Sequence, residues 1–280
     1  MKALIVGSNS MVGKALAAKI APLCDAMLTL DREQADVCFD LEEETPPVIV
    51  GVWDVAILCA ASFAGDDEAG MLQNARVNAL GTIKSAALAV RSGCRHIILL
   101  SSVFVQEHSQ NEYWGSYGLS KRQGEENARL FCQRHGIKLT ILRLTQLYDA
   151  AGQARKHQSM LYRIIDCAAQ GEEVLVYGSK DPERNFLFLD DLLEIVTRTL
   201  AKGIEGTFSC YGPQTLRLSE IAAIAFRLFG QREQIRFLPE KADIPTVFIE
   251  PDHCLYELID YSPATGFETG ISKVREYRQQ

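Results

Sequence analysis

The sequence lacks the patterns that mark metal sites, disulfide scaffolds and membrane spans. None of its eight cysteines forms a Cys-x-x-Cys pair, and its five histidines are scattered, so we predict no metal. Most cysteines lie in apolar segments, which favours reduced, buried thiols and a cytoplasmic location. No apolar run approaches the ~18 residues of a membrane span. The N-terminal segment also lacks the architecture expected of a cleavable signal peptide.

Positive charge is scarce as well. Lys and Arg number 29 against 36 Asp and Glu, which leaves a net charge of −7. A chain without a basic patch is a poor candidate for binding nucleic acid or an anionic membrane. We therefore expect a small-molecule substrate, with neither nucleic acid nor membrane as a partner.

Short apolar runs alternate with longer helical patterns in the first half of the chain. These runs are continuous rather than alternating, as in strands buried on both faces of a parallel sheet. They are Lys2–Val6, Ala26–Leu30, Trp53–Leu58, His96–Leu100 and Lys138–Leu142. With the intervening helices, among them 68–91 and 113–135, they predict an α/β fold with a doubly wound parallel sheet.

The alternation of strand-like and helical segments changes after Tyr148, where a polar, glycine-containing stretch begins. We place a domain boundary there. Residues 1–148, joined by parts of 186–212, form the sheet domain in this interpretation. Residues 149–280 form a smaller α+β domain.

A Gly-Ser-Asn-Ser-Met-Val-Gly loop joins the first strand to the first helix. Gly7 allows a turn with positive φ, and Gly13 allows close packing. The N–H groups around Ser10, Met11 and Val12 suit a pyrophosphate, although Ser10 could equally cap the helix. In a parallel α/β domain this is where dinucleotides bind.

Polar residues also follow the second strand. Asp31 can accept hydrogen bonds from ribose hydroxyls, which favours NAD, whereas Arg32 could meet the 2′-phosphate of NADP. NAD is the preferred cofactor and NADP stays open. Asp40 and Leu41 follow at a position from which they could hydrogen-bond the adenine amino group. A solvated loop carboxylate explains Asp40 equally well.

A hydroxyl, a phenol and an ammonium follow the central strand. Ser102 ends that strand, where it could bond a substrate oxygen or cap a turn. Tyr117 and Lys121 lie four residues apart and share a helix face. A cation beside a phenol lowers its pKa from about 10, which would make Tyr117 a proton donor and acceptor for an alcohol/ketone pair.

Together these motifs resemble the short-chain dehydrogenase/reductase superfamily, and more narrowly the NAD-dependent epimerases and dehydratases of nucleotide sugars. Further matching segments are 59–61, 77–82, 142–149 and 184–191. The resemblance implies a Rossmann-like sheet domain that binds a dinucleotide and a smaller domain that binds a nucleotide sugar.

The resemblance also implies roles for individual residues. Ser102, Tyr117 and Lys121 would be catalytic, and Ser102, Gln146 and Arg184 would bind substrate. In relatives the arginine contacts the substrate diphosphate. Lys121 would hold the nicotinamide ribose, and Asn78 would act as a scaffold. The cofactor-binding set would be Gly7, Ser10, Met11, Val12, Gly13, Asp31, Arg32, Asp40, Leu41, Cys59, Ala60, Ala61, Asn78, Tyr117, Lys121 and Leu144.

Departures from the family pattern concern the sugar and the reaction. Ser10, Gln146 and Asp149 replace a glycine, an asparagine and a glycine. Val103 and Phe104 stand where 4,6-dehydratases have Asp-Glu, which disfavours dehydration. A 4-epimerase and a 4-keto reductase both stay open. A non-catalytic dinucleotide sensor on the same fold is the alternative outside enzymes.

Relatives often dimerise through two helices, here 68–91 and 113–135. A homodimer is therefore expected. Apolar residues that could line its interface, or belong to the core instead, are Ala86, Ala87, Leu88, Leu130 and Phe131.

Overall fold

The computed structural model describes residues 1–106 and 113–279, which divide into two compact units. Among the described residues, the first unit comprises 1–106, 114–144 and 196–209. The second comprises 113, 145–195 and 210–279. The chain passes from the first unit to the second after Leu144, whereas the sequence predicts the boundary after Tyr148. The returning segment 196–209 lies inside the stretch 186–212.

The described residues form twelve strands and nine α-helices. The strands are β1 Lys2–Val6, β2 Ala26–Asp31, β3 Val37–Cys38, β4 Val55–Leu58, β5 His96–Ser102, β6 Lys138–Leu144, β7 Gln146–Tyr148, β8 Val174–Tyr177, β9 Glu183–Phe188, β10 Gly206–Cys210, β11 Thr215–Arg217 and β12 Ile235–Leu238. The α-helices are α1 Met11–Ile20, α2 Glu68–Asn74, α3 Gly81–Arg91, α4 Ser116–His135, α5 Ser159–Gln170, α6 Leu189–Lys202, α7 Leu218–Leu228, α8 Cys254–Ile259 and α9 Phe267–Arg278.

A seven-stranded sheet with the order β10-β6-β5-β4-β1-β2-β3 forms the centre of the first unit. Its pairings from β3 across to β6 are parallel. The central strands are buried because each is a continuous apolar run; Leu4, Ile57 and Ile98, for example, have no exposed surface. The predicted doubly wound, Rossmann-like sheet is confirmed.

The helix predicted over 68–91 contains a π-helical stretch. Ala75–Leu80 lies between α2 and α3, and the backbone continues through it without a break. Asn74 and Asn78, at and inside this stretch, are both buried. Single π-helical turns inside α-helices often lie at functional sites, and this one bears two buried amides.

The second unit contains two small sheets, with strand orders β11-β9-β7 and β12-β8. Tyr148 lies at its core, with its ring edge-on to Phe186 and Phe188 and tilted against Phe267. Gly270 leaves room for the Tyr148 hydroxyl, which a side chain there would strike. The sequence did not predict β7, β11 or α8, because segments of three to six residues show too little periodicity.

Two of the residues suggested for a dimer interface lie in the core instead. Ala86 is fully buried and Leu88 is 1% exposed, and both belong to the main apolar cluster of the first unit. Phe131 packs partly against the same cluster. Leu130, at 54% exposure, is the one of these that faces solvent clearly. Within the described residues, no helix combines the length and apolarity needed to cross a bilayer.

Candidate functional site

The loop after β1 is pressed against the loop after β4. Gly7 has φ +81°, and a Cβ at Gly7 would overlap the backbone of Ala60. A Cβ at Gly13 would overlap the Gly7 carbonyl oxygen and Ser8. Both positions therefore need glycine, and together they leave a cradle of bare backbone at the start of α1. Such a cradle fits the pyrophosphate of a dinucleotide.

Ser10 acts as the N-cap of α1. Its Oγ accepts the Gly13 N–H at 3.0 Å and donates to the Gly7 carbonyl at 2.8 Å. The side chain that replaces the family's middle glycine therefore ties the two remaining glycines together. The N–H groups of Met11 and Val12, in the first turn, lie at the positive end of the helix and suit an anion.

Asp31 is fixed beside this loop at the end of β2. Its Oδ2 accepts the Asn9 N–H at 2.8 Å, and its Oδ1 accepts the Arg32 N–H at 2.8 Å. The Arg32 side chain is exposed. Asp40 accepts the Glu42 N–H at 2.9 Å, as in an Asx-turn.

The loop after β4 is held by Asn78. The Asn78 amide accepts from the Ser62 N–H and donates to the Ser62 carbonyl, both at 2.9 Å, and it also donates to Ser120 Oγ at 3.0 Å. These contacts describe a scaffold that joins the loop to α4. Cys59, in the same loop, is buried, which raises the pKa of its thiol to about 12 and makes it a poor nucleophile.

The structure brings Ser102, Tyr117 and Lys121 together in the first unit. Ser102 ends β5, opposite Leu144 of β6, and its Oγ accepts the Phe104 N–H at 3.2 Å, as in the turn-capping role that the sequence left open. The same hydroxyl is close enough to Tyr117 to influence the pKa of its phenol. Tyr117 lies in the first turn of α4, and Lys121 follows one turn later. The Lys121 Nζ donates to the Leu100 carbonyl at 2.8 Å. An alcohol oxygen beside Ser102 and Tyr117 would meet a hydroxyl and a phenol within one helix turn of an ammonium.

The electrostatics of this group correct one expectation. Burial raises the pKa of Tyr117 above its ordinary value of 10, and the neighbouring Ser102 hydroxyl opposes that rise. Burial also lowers the pKa of Lys121 from 10.5 to about 8, opposed by Glu125 and Cys59. The predicted lowering of the Tyr117 pKa is therefore wrong for this structure, because burial dominates. The Lys121 ammonium donates to the Leu100 carbonyl instead.

Glu125 is a buried anion that the sequence analysis missed. It lies one turn beyond Lys121, has no exposed surface, and accepts from Ser101 Oγ at 2.6 Å. Arg143 of β6 and Arg129 of α4 bond its carboxylate at 2.6 and 2.9 Å. The only available signal was its spacing of four residues from Lys121. Glu125 joins α4 to β5 and β6 at the residue that precedes Ser102.

Asn74 repeats the contacts of Asn78 and was also missed. Its amide bonds the backbone N–H and carbonyl of Ala64 and the hydroxyl of Ser116. The signal was a matching interval: four residues separate the two asparagines, and four separate Ser116 from Ser120.

Arg184 lies in the second unit and is 1% exposed. Its Nη1 donates to the carbonyls of Glu183 and Pro245 at 2.7 and 2.6 Å, and its Nη2 donates to the Tyr113 hydroxyl at 2.6 Å. The buried Nε has no hydrogen-bond partner among the described residues. Burial lowers the pKa of this guanidinium. None of the partners that the structure describes for it is a carboxylate.

The two departures from the family pattern at Gln146 and Asp149 have local structural roles. The Gln146 Nε2 donates to Gln158 Oε1 at 2.9 Å, while its own buried Oε1 has no partner among the described residues. The Asp149 carboxylate accepts the N–H groups of Gln153 and Ala154 at 3.0 and 2.8 Å. Asp149 therefore organises the turn that follows β7. No cluster of three or more His, Cys, Asp or Glu suited to a metal occurs in the described part of the chain.

The chain is similar to known proteins over most of its length. A family model described as NAD dependent epimerase/dehydratase matches residues 3–209. The chain is 25% identical over 222 residues to UDP-glucuronic acid decarboxylase 1 of Danio rerio, covering 74% of this chain and 52% of that protein. It is 26% identical over 157 residues to dTDP-4-dehydro-6-deoxy-D-allose reductase of Streptomyces bikiniensis, covering 54% of this chain and 48% of that protein. The chain thus spans about half the length of these relatives.

Solved structures share the fold. UDP-N-acetylglucosamine 4-epimerase from Bacillus cereus superimposes with a TM-score of 0.80 at 18% identity, covering 100% of this chain and 96% of that one. UDP-glucose 4-epimerase from Thermotoga maritima, solved with UDP-glucose, gives 0.79 at 18% identity, with coverages of 100% and 99%. UDP-glucuronic acid 4-epimerase from Bacillus cereus, in complex with NAD, gives 0.78 at 16% identity, with coverages of 100% and 97%.

Proposed function

The chain belongs to the NAD dependent epimerase/dehydratase family, and from this premise we propose that it oxidises or reduces one carbon of a nucleotide sugar with NAD. The observation that carries the proposal is the group formed by Ser102, Tyr117 and Lys121 at the carboxyl end of β5. In an open α/β sheet, ligands bind at that end of the strands. The glycine cradle of the same unit supports a dinucleotide as the cofactor.

Each residue of the group has a defined task in this proposal. Bound NAD supplies the hydride acceptor or donor for the reacting sugar carbon. As a neutral phenol, Tyr117 donates a proton to a 4-keto oxygen, and in the reverse direction its phenolate takes the proton of the C4 hydroxyl. Ser102 bonds the Tyr117 hydroxyl and the sugar oxygen, which keeps the two aligned. Lys121 holds the nicotinamide ribose. Met11, Val12 and Asp31 hold the pyrophosphate and the adenosine ribose.

The residues that follow Ser102 narrow the reaction. Val103 is buried and Phe104 is apolar, so neither can exchange a proton with the sugar ring. Tyr117 is then the evident proton-transfer group, and a single oxidation or reduction fits it better than elimination of water. A 4-epimerase and a 4-keto reductase both satisfy this condition. A non-catalytic sensor would have no use for a phenol placed between a serine hydroxyl and a buried ammonium.

Arg184 supports a diphosphate in the substrate. A fully buried guanidinium is costly unless an anion is close, and its described partners are carbonyls and a phenol. The N–H group of its Nε has no acceptor among the described residues. A diphosphate oxygen would provide both the acceptor and the missing negative charge.

We also propose that the chain forms a homodimer through the helices that flank Tyr117. Four leucines on α2, the π-helical stretch and α4 are 40–54% exposed: Leu72, Leu80, Leu119 and Leu130. We expect Leu130→Glu to convert a dimer into a monomer in sedimentation equilibrium, because it places a charge in an apolar interface. Leu258→Glu, at a leucine of 45% exposure in α8, is the control. A wild-type chain that is monomeric at micromolar concentration contradicts the dimer.

The cytoplasmic location and the absence of nucleic-acid and membrane partners stay predictions. NADP as an alternative cofactor is also open to the binding measurements below.

Replacing Tyr117 tests the assignment of the proton-transfer group. We expect Tyr117→Phe to lower turnover at least ~100-fold with little loss of NAD affinity, because the change removes only the hydroxyl. Turnover is measured with the nucleotide sugar that most stabilises the wild-type chain in a thermal-shift panel of UDP- and dTDP-sugars with NAD and NADP. Tyr277→Phe, at an exposed tyrosine of α9, is the matched control. Near-normal turnover of Tyr117→Phe contradicts the proposal.

Replacing Arg184 tests the substrate class. We expect Arg184→Ala to weaken binding of UDP at least ~10-fold in isothermal titration, since it removes a buried charge-assisted donor, and to leave NAD affinity unchanged. Arg236→Ala, at an exposed arginine paired with Glu173, is the control in the same unit. If the folded Arg184→Ala variant binds UDP as tightly as the wild type, the substrate is not recognised through a nucleoside diphosphate at this residue.

A further inference from the structure

The ring of Phe63 lies flat against the ring of Tyr117. Their centroids are 4.4 Å apart and their planes differ by 20°. Phe104 meets the same tyrosine edge-on, at 6.5 Å and 73°. Phe63 is 55% exposed, so apolar burial alone does not account for its position. Stacked and edge-on rings have preferred geometries, and together these two restrict how the Tyr117 phenol can turn.

The backbone on either side of Phe63 is fixed by the two buried asparagines. Asn78 bonds both the N–H and the carbonyl of Ser62, at 2.9 Å each. Asn74 bonds the N–H and the carbonyl of Ala64, at 3.0 and 3.1 Å. The segment 62–64 is therefore held at both ends, as a strand is held by its neighbour, and the side chain between them has a defined direction.

The same asparagines bond the helix that carries Tyr117. Asn74 donates to Ser116 Oγ at 2.9 Å, and Asn78 donates to Ser120 Oγ at 3.0 Å. Ser116 precedes Tyr117, and Ser120 follows it within one turn. Each amide thus fixes the 62–64 segment and the first turn of α4 at once. The stack of Phe63 on Tyr117 is built into both elements rather than left to a mobile loop.

A first-turn residue needs such lateral support. Tyr117 is the second residue of α4, where the backbone N–H groups have no partners inside the helix and the side chain has no preceding turn to rest on. Its hydroxyl must nevertheless stay beside Ser102, because proton transfer requires hydrogen-bond distance. A leucine at position 63 would supply apolar volume, whereas only a ring supplies a flat face.

We propose that Phe63 is a positioning residue that keeps the Tyr117 hydroxyl at Ser102 by stacking on its ring. The inference rests on the proposed function only for the consequence in catalysis; the contact itself is independent of any reaction.

The contact is tested without turnover. Protein labelled with carbon-13 in its tyrosine rings gives one NMR signal set for Tyr117, identified by its loss in Tyr117→Phe. We expect Phe63→Leu to shift the Tyr117 ring signals downfield and to leave those of Tyr148, in the core of the second unit, in place. Unshifted Tyr117 signals in Phe63→Leu overturn the inference.

The consequence is tested by kinetics. We expect Phe63→Leu to lower kcat about tenfold with little change in KM, since misplaced reacting groups lose rate rather than affinity. Phe63→Tyr keeps an aromatic ring at this position, and we expect its kcat to lie within about twofold of wild type. A thermal melt confirms that both variants fold. A Phe63→Leu variant with wild-type kcat overturns the positioning role. If Tyr117→Phe keeps turnover while Phe63→Leu shifts the Tyr117 ring signals, the proposed function is wrong but the stacking contact is confirmed.

Discussion

The buried ammonium of Lys121 is the constraint on which the site depends. A charge this far from water must be satisfied inside the protein, and the Leu100 carbonyl provides its hydrogen bond at 2.8 Å. One turn later, the Glu125 carboxylate joins the same helix to Ser101 and Arg143. Both anchors lie next to Ser102 on β5. They fix the rotation and height of α4 against the sheet, and Tyr117 is thereby brought to Ser102. The contacts of Asn74 and Asn78 with Ser116 and Ser120 then hold the adjacent face of the helix.

Burial changes the expected division of labour between Tyr117 and Lys121. Each of the two groups is disfavoured in its charged form, so the pKa of the phenol rises and that of the ammonium falls. The Ser102 hydroxyl is what opposes the rise of the Tyr117 pKa. Lys121 then acts as an anchor of α4, and the proposed function adds a second task, which is to hold the cofactor. In the second unit, too, a buried polar group is satisfied by nearby backbone. Asp149, which stands where the family has a glycine, accepts the N–H groups of the turn that follows it.

Much of the sheet and the acid–base group was accessible from the sequence because both depend on short-range patterns. Continuous apolar runs predicted the strands of the central sheet, and the Tyr-x-x-x-Lys spacing predicted a shared helix face. The contacts of Asn74 and Glu125 were not accessible, because they join residues far apart in sequence and neither residue type is unusual on a helix. Ala86 and Leu88 lie in the core, and the sequence could not choose between core and interface for them, because apolar periodicity locates a buried face without saying what covers it.

The burial of the Lys121 ammonium and its proposed contact with NAD can be measured together. Lysine labelled with carbon-13 at Cε gives an NMR signal for Lys121 that is identified by its loss in Lys121→Met. The account predicts that this signal titrates near pH 8, against the ordinary lysine value of 10.5, and that NAD shifts it to saturation while the signal of Lys273, on α9 of the second unit, stays in place. A Lys121 that titrates with an ordinary lysine pKa and does not respond to saturating NAD would contradict the account.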